Sequence, residues 1–249
     1  MATFRAMRGF HTMVVTASLC FASSALAQQA VVDSMVTSFI KRHNIPGASV
    51  AAVHRGQTVV AGGYGTANLE LNVSADRATV YEIGSISKLF TVAALMRLVD
   101  EGKVSLGDPI TKYVPGLPAA WSDVTLRHLA AHTGGAPDWE SRTAFSYRAT
   151  YADSDFVRLV AALPLDFKPG ERFAYTNTGA PLLGIAIARA SGMSFERFVT
   201  EQLIYPVNAP GLRYKHQKEI VPRRAGGYID SAGTLLNGEP HRPEIIAPS

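Results

Sequence analysis

Hydrophobic and polar residues follow two different periods along this chain of 249 residues. The segment VVDSMVTSFIKRHN repeats apolar residues at helical spacing and stops before Pro46-Gly47, which predicts a first helix. The next segment, ASVAAVHRGQTVVAGGYG, has two β-rich runs on either side of Arg55-Gly56-Gln57. Two such runs around a short polar turn predict a β-hairpin.

Three longer helices are predicted in the middle of the chain. The segment SISKLFTVAALMRLVDEG is apolar nearly all round and ends at Gly102, so we expect it to be buried on most sides. The segments GAPLLGIAIARASG and SFERFVTEQL predict the other two. Between about residues 103 and 170, short helical pieces alternate with Pro/Gly turns, and the tail from Arg223 has short strand-like pieces.

These elements place strands near the start of the chain, helices in the middle and too few strands at the end. The hydrophobic fraction of 47% and the charged fraction of 18% fit one large domain or two closely packed subdomains. A single hairpin does not form a stable sheet alone. We therefore expect that further strands are missing from this chain or come from another chain.

The first 27 residues have the features of a secretory signal peptide. Arg5 and Arg8 precede a short apolar run, and the sequence ALA before Gln28 fits a signal peptidase site. We therefore expect export to the periplasm or the medium, with an uncleaved membrane anchor as the alternative. The only cysteine, Cys20, lies in this segment, so the mature chain would contain no disulfide and no thiolate metal site.

The charge of the chain does not indicate a nucleic-acid partner. Arg5 and Arg8 supply half of the formal net charge of +4. The other basic residues are scattered and form no stripe interleaved with aromatic residues, which argues against a nucleic-acid interface.

The pattern Ser-x-x-Lys occurs twice and has a different context each time. Ser38 and Lys41 lie near the end of the first helix, where a cation is favoured and exposed to water. Ser85 lies at the start of a helix, where free backbone N–H groups can stabilise a developing oxyanion. Lys88 follows one turn later on the same face of a largely apolar helix. Because burial favours the neutral amine of a lysine, Ser85 and Lys88 can act as a nucleophile and its base. The alternative is that Ser85 is only a helix N-cap and that Lys88 buries its aliphatic chain while its amine reaches water.

Tyr175 and Asn177 form the only Tyr-x-Asn pattern in the chain and lie in a turn before a helix. A tyrosine near Lys88 could act as a phenolate base, and an amide side chain can hold a substrate carbonyl. The alternative is a buried tyrosine beside a helix-capping asparagine.

Several separated segments together resemble the penicillin-recognising serine hydrolases, in the branch of class C β-lactamases, D,D-peptidases and β-lactamase-like esterases. The segments are ASVAAVHRGQTVVAGGYGTANLE, GSISKLFTVAALMRLVDEGKVSLGDPITKYVP, VTLRHLAAHTGG and FKPGERFAYTNTGAPLLG, and the resemblance runs from about residue 33 to about residue 230. It implies that Ser85 is the acylated nucleophile and Lys88 its base, with Tyr175 as a second acid/base and Asn177 as a substrate-binding residue. It also implies small-molecule or peptide-like substrates (a β-lactam, a D-alanyl peptide or an ester) and neither metal nor organic cofactor. The fold that it implies is α/β (α+β) of the β-lactamase/transpeptidase type, with a helical subdomain and an antiparallel sheet that is incomplete in this chain.

The family's third motif, Lys or His followed by any residue and Gly, is not found after Asn177. The candidate residues there lack the glycine: Lys215, His216, Lys218 and His241. His132-Thr133-Gly134 spells the motif but precedes Tyr175, where the family has a structural turn. We therefore expect residues 28–249 to be a hydrolase domain that lacks its C-terminal part, with doubtful activity in this form.

Two other functions compete with hydrolysis. His128 and His132 have the spacing of a zinc pair, but Leu129 stands where a general-base glutamate would follow His128, and no third ligand is evident. A penicillin sensor or binding module would share Ser85 and Lys88 with a hydrolase and would differ from it in the rate of deacylation. An inactive remnant would bind nothing.

Overall fold

The structure is a computed structural model that describes four stretches of the chain: residues 28–146, 148–209, 211–214 and 219–238. The predicted signal peptide, with Cys20, lies outside these stretches. So do the four candidate residues for the third motif: Lys215, His216, Lys218 and His241. No helix in the described stretches is both long and apolar enough to span a membrane.

The chain divides into two compact units. In the described stretches, the first unit consists of residues 28–81 and 221–238, and the second lies within residues 82–220. The described residues of the first unit contain helix α1 and all five strands, and those of the second contain the other helices.

In the first unit, α1 covers residues 28–42 and precedes an antiparallel sheet of order β1-β2-β3. A separate antiparallel pair, β4 and β5, follows near the end of the described chain. The strands are β1 Gly47–His54, β2 Gln57–Asn68, β3 Val73–Ser74, β4 Tyr228–Ser231 and β5 Thr234–Asn237.

The predicted hairpin between β1 and β2 is confirmed. His54 pairs with Gln57, so the turn consists of Arg55 and Gly56, whose φ angles are 50° and 76°. A two-residue turn with positive φ at both positions matches the right-handed twist of paired strands, which fixes the register of this hairpin.

The second unit is helical. A 3-10 turn, Gly84–Ile86, leads directly into α2, and α7 continues as a π-helical turn, Thr200–Ile204. The α-helices are α2 Ser87–Asp100, α3 Leu126–Ala130, α4 Trp139–Arg142, α5 Asp153–Ala161, α6 Gly179–Ser191 and α7 Phe195–Val199. A helical part and antiparallel strands together confirm the predicted α/β (α+β) fold class.

The core of this unit lies where α2 packs against α6. Leu95 and Leu98 of α2 and Leu183 and Ile187 of α6 are at most 1% exposed. The expectation that α2 is buried on most sides is wrong, because its contacts with α6 and α7 lie on one face and leave Leu89 68% exposed.

Replacement of Leu98 by alanine should lower the free energy of unfolding by about 2–5 kcal/mol, because it removes a fully buried side chain and leaves a cavity. Leu89→Ala on the same helix is the control and should change it by less than about 0.5 kcal/mol. Urea unfolding measures both, and equal losses for the two variants would contradict this description of the core.

Candidate active site

Ser85 lies in the 3-10 turn that begins the α2 helix. Its side chain is exposed. The preceding Gly84 has a φ of 51°, which glycine adopts without strain. Within this turn the Ile86 N–H donates to the Ile83 carbonyl at 3.2 Å and the Ser87 N–H donates to the Gly84 carbonyl. The Ser85 residue is thus accessible to a substrate at the start of the helix.

Lys88 lies one turn further on and is 9% exposed. Its Nζ donates a hydrogen bond of 3.2 Å to Ser85 Oγ and one of 2.9 Å to Asn177 Oδ1. The same nitrogen lies 4.9 Å from the centre of the Tyr175 ring. Lys88 therefore contacts all three of the other predicted site residues.

Tyr175 approaches the serine from a different part of the chain. Its hydroxyl donates a hydrogen bond of 2.8 Å to Ser85 Oγ. Burial raises the pKa of Tyr175, but hydrogen bonding to Lys88 and Ser85 and the positive charge of Lys88 together outweigh this and leave its pKa below the ordinary value. A tyrosine with a lowered pKa is more easily converted to the phenolate form, which can accept a proton.

Asn177 lies in the turn before α6 and is held at both its backbone and its side chain. The Asn177 N–H donates to Asp138 Oδ1, and its Nδ2 donates to Glu140 Oε2, both at 3.0 Å. With the contact to Lys88, this leaves the amide oxygen facing the lysine and the amide nitrogen facing the glutamate.

The segment that carries these two carboxylates is firmly anchored. Thr178 is fully buried, donates to the Pro137 carbonyl and accepts from the Trp139 N–H at 3.1 Å. Trp139 is also fully buried and packs against an aromatic cluster of Phe145, Tyr151 and Phe156. Residues 138 and 140 flank this anchor, so their side chains have little freedom to move away from the turn.

His132 lies against the outer side of the tyrosine. Its ring is 4.6 Å from that of Tyr175, and its carbonyl accepts from the Ala174 N–H at 2.9 Å. Burial lowers the pKa of His132, and the charge of Lys88 lowers it further. A neutral imidazole packed in this way supports the position of Tyr175, and the loop of residues 132–134 is a turn rather than a strand.

His128 and His132, which have the spacing of a zinc pair, take part in two different local structures. Thr125 and His128 form a reciprocal capping box at the start of α3, with the Thr125 N–H donating to His128 Nδ1 at 3.3 Å. His132 packs on Tyr175, as described above. In the part of the chain that the structure describes, no cluster of three or more potential metal ligands occurs.

The four predicted site residues thus lie together, whereas Ser38 and Lys41 are both exposed on α1. Sequence reasoning missed Asp138 and Glu140, and it noticed His132 only as part of a motif-like turn and of a zinc-spaced pair, not as a neighbour of Tyr175. The only signal for Asp138 and Glu140 was their place after the HTGG segment, and no motif distinguished them from other polar loop residues.

Comparison with known proteins gives consistent matches over most of the chain. The model of the beta-lactamase family matches residues 32–245. Protein flp of Staphylococcus aureus strain N315 is 29% identical over 217 residues, which cover 85% of this chain and 43% of that protein. The beta-lactamase of Escherichia coli strain K12 is 28% identical over 196 residues, covering 78% of this chain and 50% of that protein.

A solved structure is also similar to this chain over most of its length. The octameric penicillin-binding protein homologue from Pyrococcus abyssi is 31% identical with a TM-score of 0.69, covering 84% of this chain and 50% of that one. The chain spans about half the length of the relatives it matches.

Replacement of Lys88 by methionine should raise the pKa of Tyr175, because the nearby positive charge that stabilises the phenolate is lost. Ultraviolet titration of tyrosinate measures this, and subtraction of the Tyr175→Phe titration isolates the relevant ring. In the unaltered chain this component should titrate below the ordinary value of about 10. Lys103→Met, which removes an exposed cation, is the control. An identical shift of the Tyr175 pKa in both variants would contradict the conclusion that the charge of Lys88 lowers it.

Proposed function

The chain belongs to the beta-lactamase family, and from this we propose that it is a serine hydrolase that acts through an acyl intermediate on Ser85. The observation that carries the proposal is the convergence of Lys88 Nζ and Tyr175 Oη on Ser85 Oγ, at 3.2 and 2.8 Å. A serine hydroxyl is a weak nucleophile alone, and an adjacent general base is the usual means of activating it.

In the proposed first step, Ser85 Oγ attacks the carbonyl carbon of the substrate. The serine proton passes to the Tyr175 phenolate, which the positive charge of Lys88 stabilises, and the carbonyl oxygen becomes an oxyanion that the backbone N–H of Ser85 can stabilise. The intermediate then collapses, the bond from carbon to the leaving group breaks, and the same acid/base pair returns the proton to the departing amine or alcohol. The product of this step is an acyl ester on Ser85.

In the proposed second step, water attacks the acyl ester. The acid/base pair takes a proton from the water and gives one back to Ser85 Oγ, which releases a carboxylic acid and restores the enzyme. Asn177 has two roles in this scheme. It keeps Lys88 in place and offers its amide to the substrate.

The proposed substrates are compounds in which a carbonyl carbon carries an amine or alcohol leaving group. A β-lactam, a D-alanyl peptide and a simple ester all meet this description, and we favour the ester and the peptide. Support for this general chemistry comes from the matched relatives, which include a beta-lactamase and a penicillin-binding protein homologue.

We also propose that residues 1–27 direct export and are then removed. In an exporting bacterial host, the mass of the processed protein should correspond to a chain that begins at Gln28. Ala27→Tyr should block processing, because the cleavage site requires a small residue there, whereas Leu26→Tyr should be tolerated. If the unaltered chain, like both variants, kept residues 1–27, the result would contradict the proposal.

Replacement of Ser85 by alanine should abolish both the covalent adduct and product release, with a fall in rate of about 10⁴-fold or more. The experiment exposes residues 28–249 to a reporter penicillin, a D-alanyl dipeptide ester and an activated ester, and follows intact mass and product. Ser38→Ala is the matched control and should behave as the unaltered chain does.

The same experiment separates the competing functions. An adduct on Ser85 with no release of product would favour the sensor or binding module over the hydrolase. Equal reaction of the unaltered chain and the Ser85→Ala variant would overturn the proposal that Ser85 is the nucleophile.

A further inference from the structure

The Asn177 side chain lies between two groups of opposite charge. Its Oδ1 accepts from Lys88 Nζ at 2.9 Å, and its Nδ2 donates to Glu140 Oε2 at 3.0 Å. An ammonium group can only donate hydrogen bonds, and a carboxylate can only accept them. The two neighbours therefore determine which end of the amide faces which group.

We propose that Glu140 is a positioning residue that fixes the orientation of the Asn177 amide and, through it, the place of Lys88 beside Ser85. The inference rests on the proposed function of Ser85, since the effect on rate arises through that nucleophile. Neither the sequence motifs nor the roles given above to Ser85, Lys88, Tyr175 and Asn177 require Glu140.

The orientation of this amide needs an external constraint. The oxygen and nitrogen ends of an asparagine side chain have almost the same shape, so packing alone hardly distinguishes them. The reversed amide would place two donors, Nδ2 and Lys88 Nζ, against each other and leave Oδ1 against the Glu140 carboxylate. Hydrogen bonds to charged groups are stronger than those between neutral groups, so contacts at both ends favour one orientation.

Glu140 can impose this constraint because its own position is fixed. It follows the buried Trp139, and the segment around it is joined to the turn of residues 176–178 by hydrogen bonds through Asp138 and Thr178. The backbone of Asn177 is held by Asp138 and the side chain by Glu140. Two carboxylates on either side of one anchor thus hold both parts of the same residue.

Glu140 also acts on the site through its charge. Its negative charge opposes the lowering of the Tyr175 pKa by Lys88. Removal of the charge with retention of a hydrogen-bond acceptor should therefore lower the pKa of the base and extend activity to lower pH. Removal of the acceptor oxygen at position 140 should instead leave the Asn177 amide free to change its orientation.

Three variants separate these effects. Glu140→Gln keeps an acceptor oxygen without the charge, and Glu140→Met keeps the length of the side chain without an acceptor. Glu171→Gln removes the charge of an exposed glutamate in the same unit and is the control. The measurements are kcat and KM for the activated ester as functions of pH.

Glu140→Met should lower kcat by about 10–100-fold, the size of effect known for the loss of residues that orient metal ligands, with KM changed less than about twofold. Glu140→Gln should keep most of the maximal rate and move the acidic limb of the pH profile to lower pH. The inference would be overturned if Glu140→Met kept the normal kcat, or if it raised KM alone. Glu171→Gln should match the unaltered chain throughout.

A second measurement does not depend on activity. In ¹⁵N-labelled protein, the side-chain amide signals of Asn177 are assigned by their loss in Asn177→Ala. They should move strongly in Glu140→Met, moderately in Glu140→Gln and hardly at all in Glu171→Gln. Unmoved amide signals in Glu140→Met would overturn the inference even in an active enzyme, whereas moved signals in a chain that forms no Ser85 adduct would overturn only the proposed function.

Discussion

The arrangement of the site depends on one buried amine. Lys88 is 9% exposed, and its Nζ is shared between Ser85 Oγ and Asn177 Oδ1. Placing a charged group in such a position is costly unless hydrogen bonds compensate, which makes this nitrogen sensitive to each of its neighbours. A neighbour that changes its orientation would therefore move the Lys88 amine relative to Ser85.

The fold meets this requirement by packing two helices against each other. Ser85 and Lys88 lie at the start of α2, while Tyr175 and Asn177 lie in the turn that leads into α6. Because α2 and α6 pack closely through fully buried leucines, the distance between the two halves of the site is set by the core of the unit. The aromatic cluster around Trp139 adds a third support, since it carries the carboxylates that hold Asn177.

The sequence was sufficient to predict the elements and motifs that follow local rules. The turn at Arg55-Gly56 depends on positive φ angles and helix α2 on apolar spacing, and both are properties of neighbouring residues. The exposure of Leu89 could not be predicted, because it depends on which elements pack against α2 in space.

The same limit applies to the support of the site. Asp138, Glu140 and His132 contact residues about 40 positions away in the chain, and no local pattern in their segment indicates those contacts. The family resemblance supplied Ser85, Lys88, Tyr175 and Asn177 as a set, whereas their distances follow from long-range packing.

The central claim is that Asn177 acts on Ser85 through Lys88. The most direct test is a double-mutant cycle on the second-order rate constant for modification of Ser85 by an activated phosphonate, with Lys88→Met, Asn177→Ala and both together. The account predicts that loss of Asn177 slows the reaction in the unaltered chain and has little further effect once Lys88 is gone, with a coupling energy of about 0.5–3 kcal/mol. Fully additive effects of the two substitutions would contradict it.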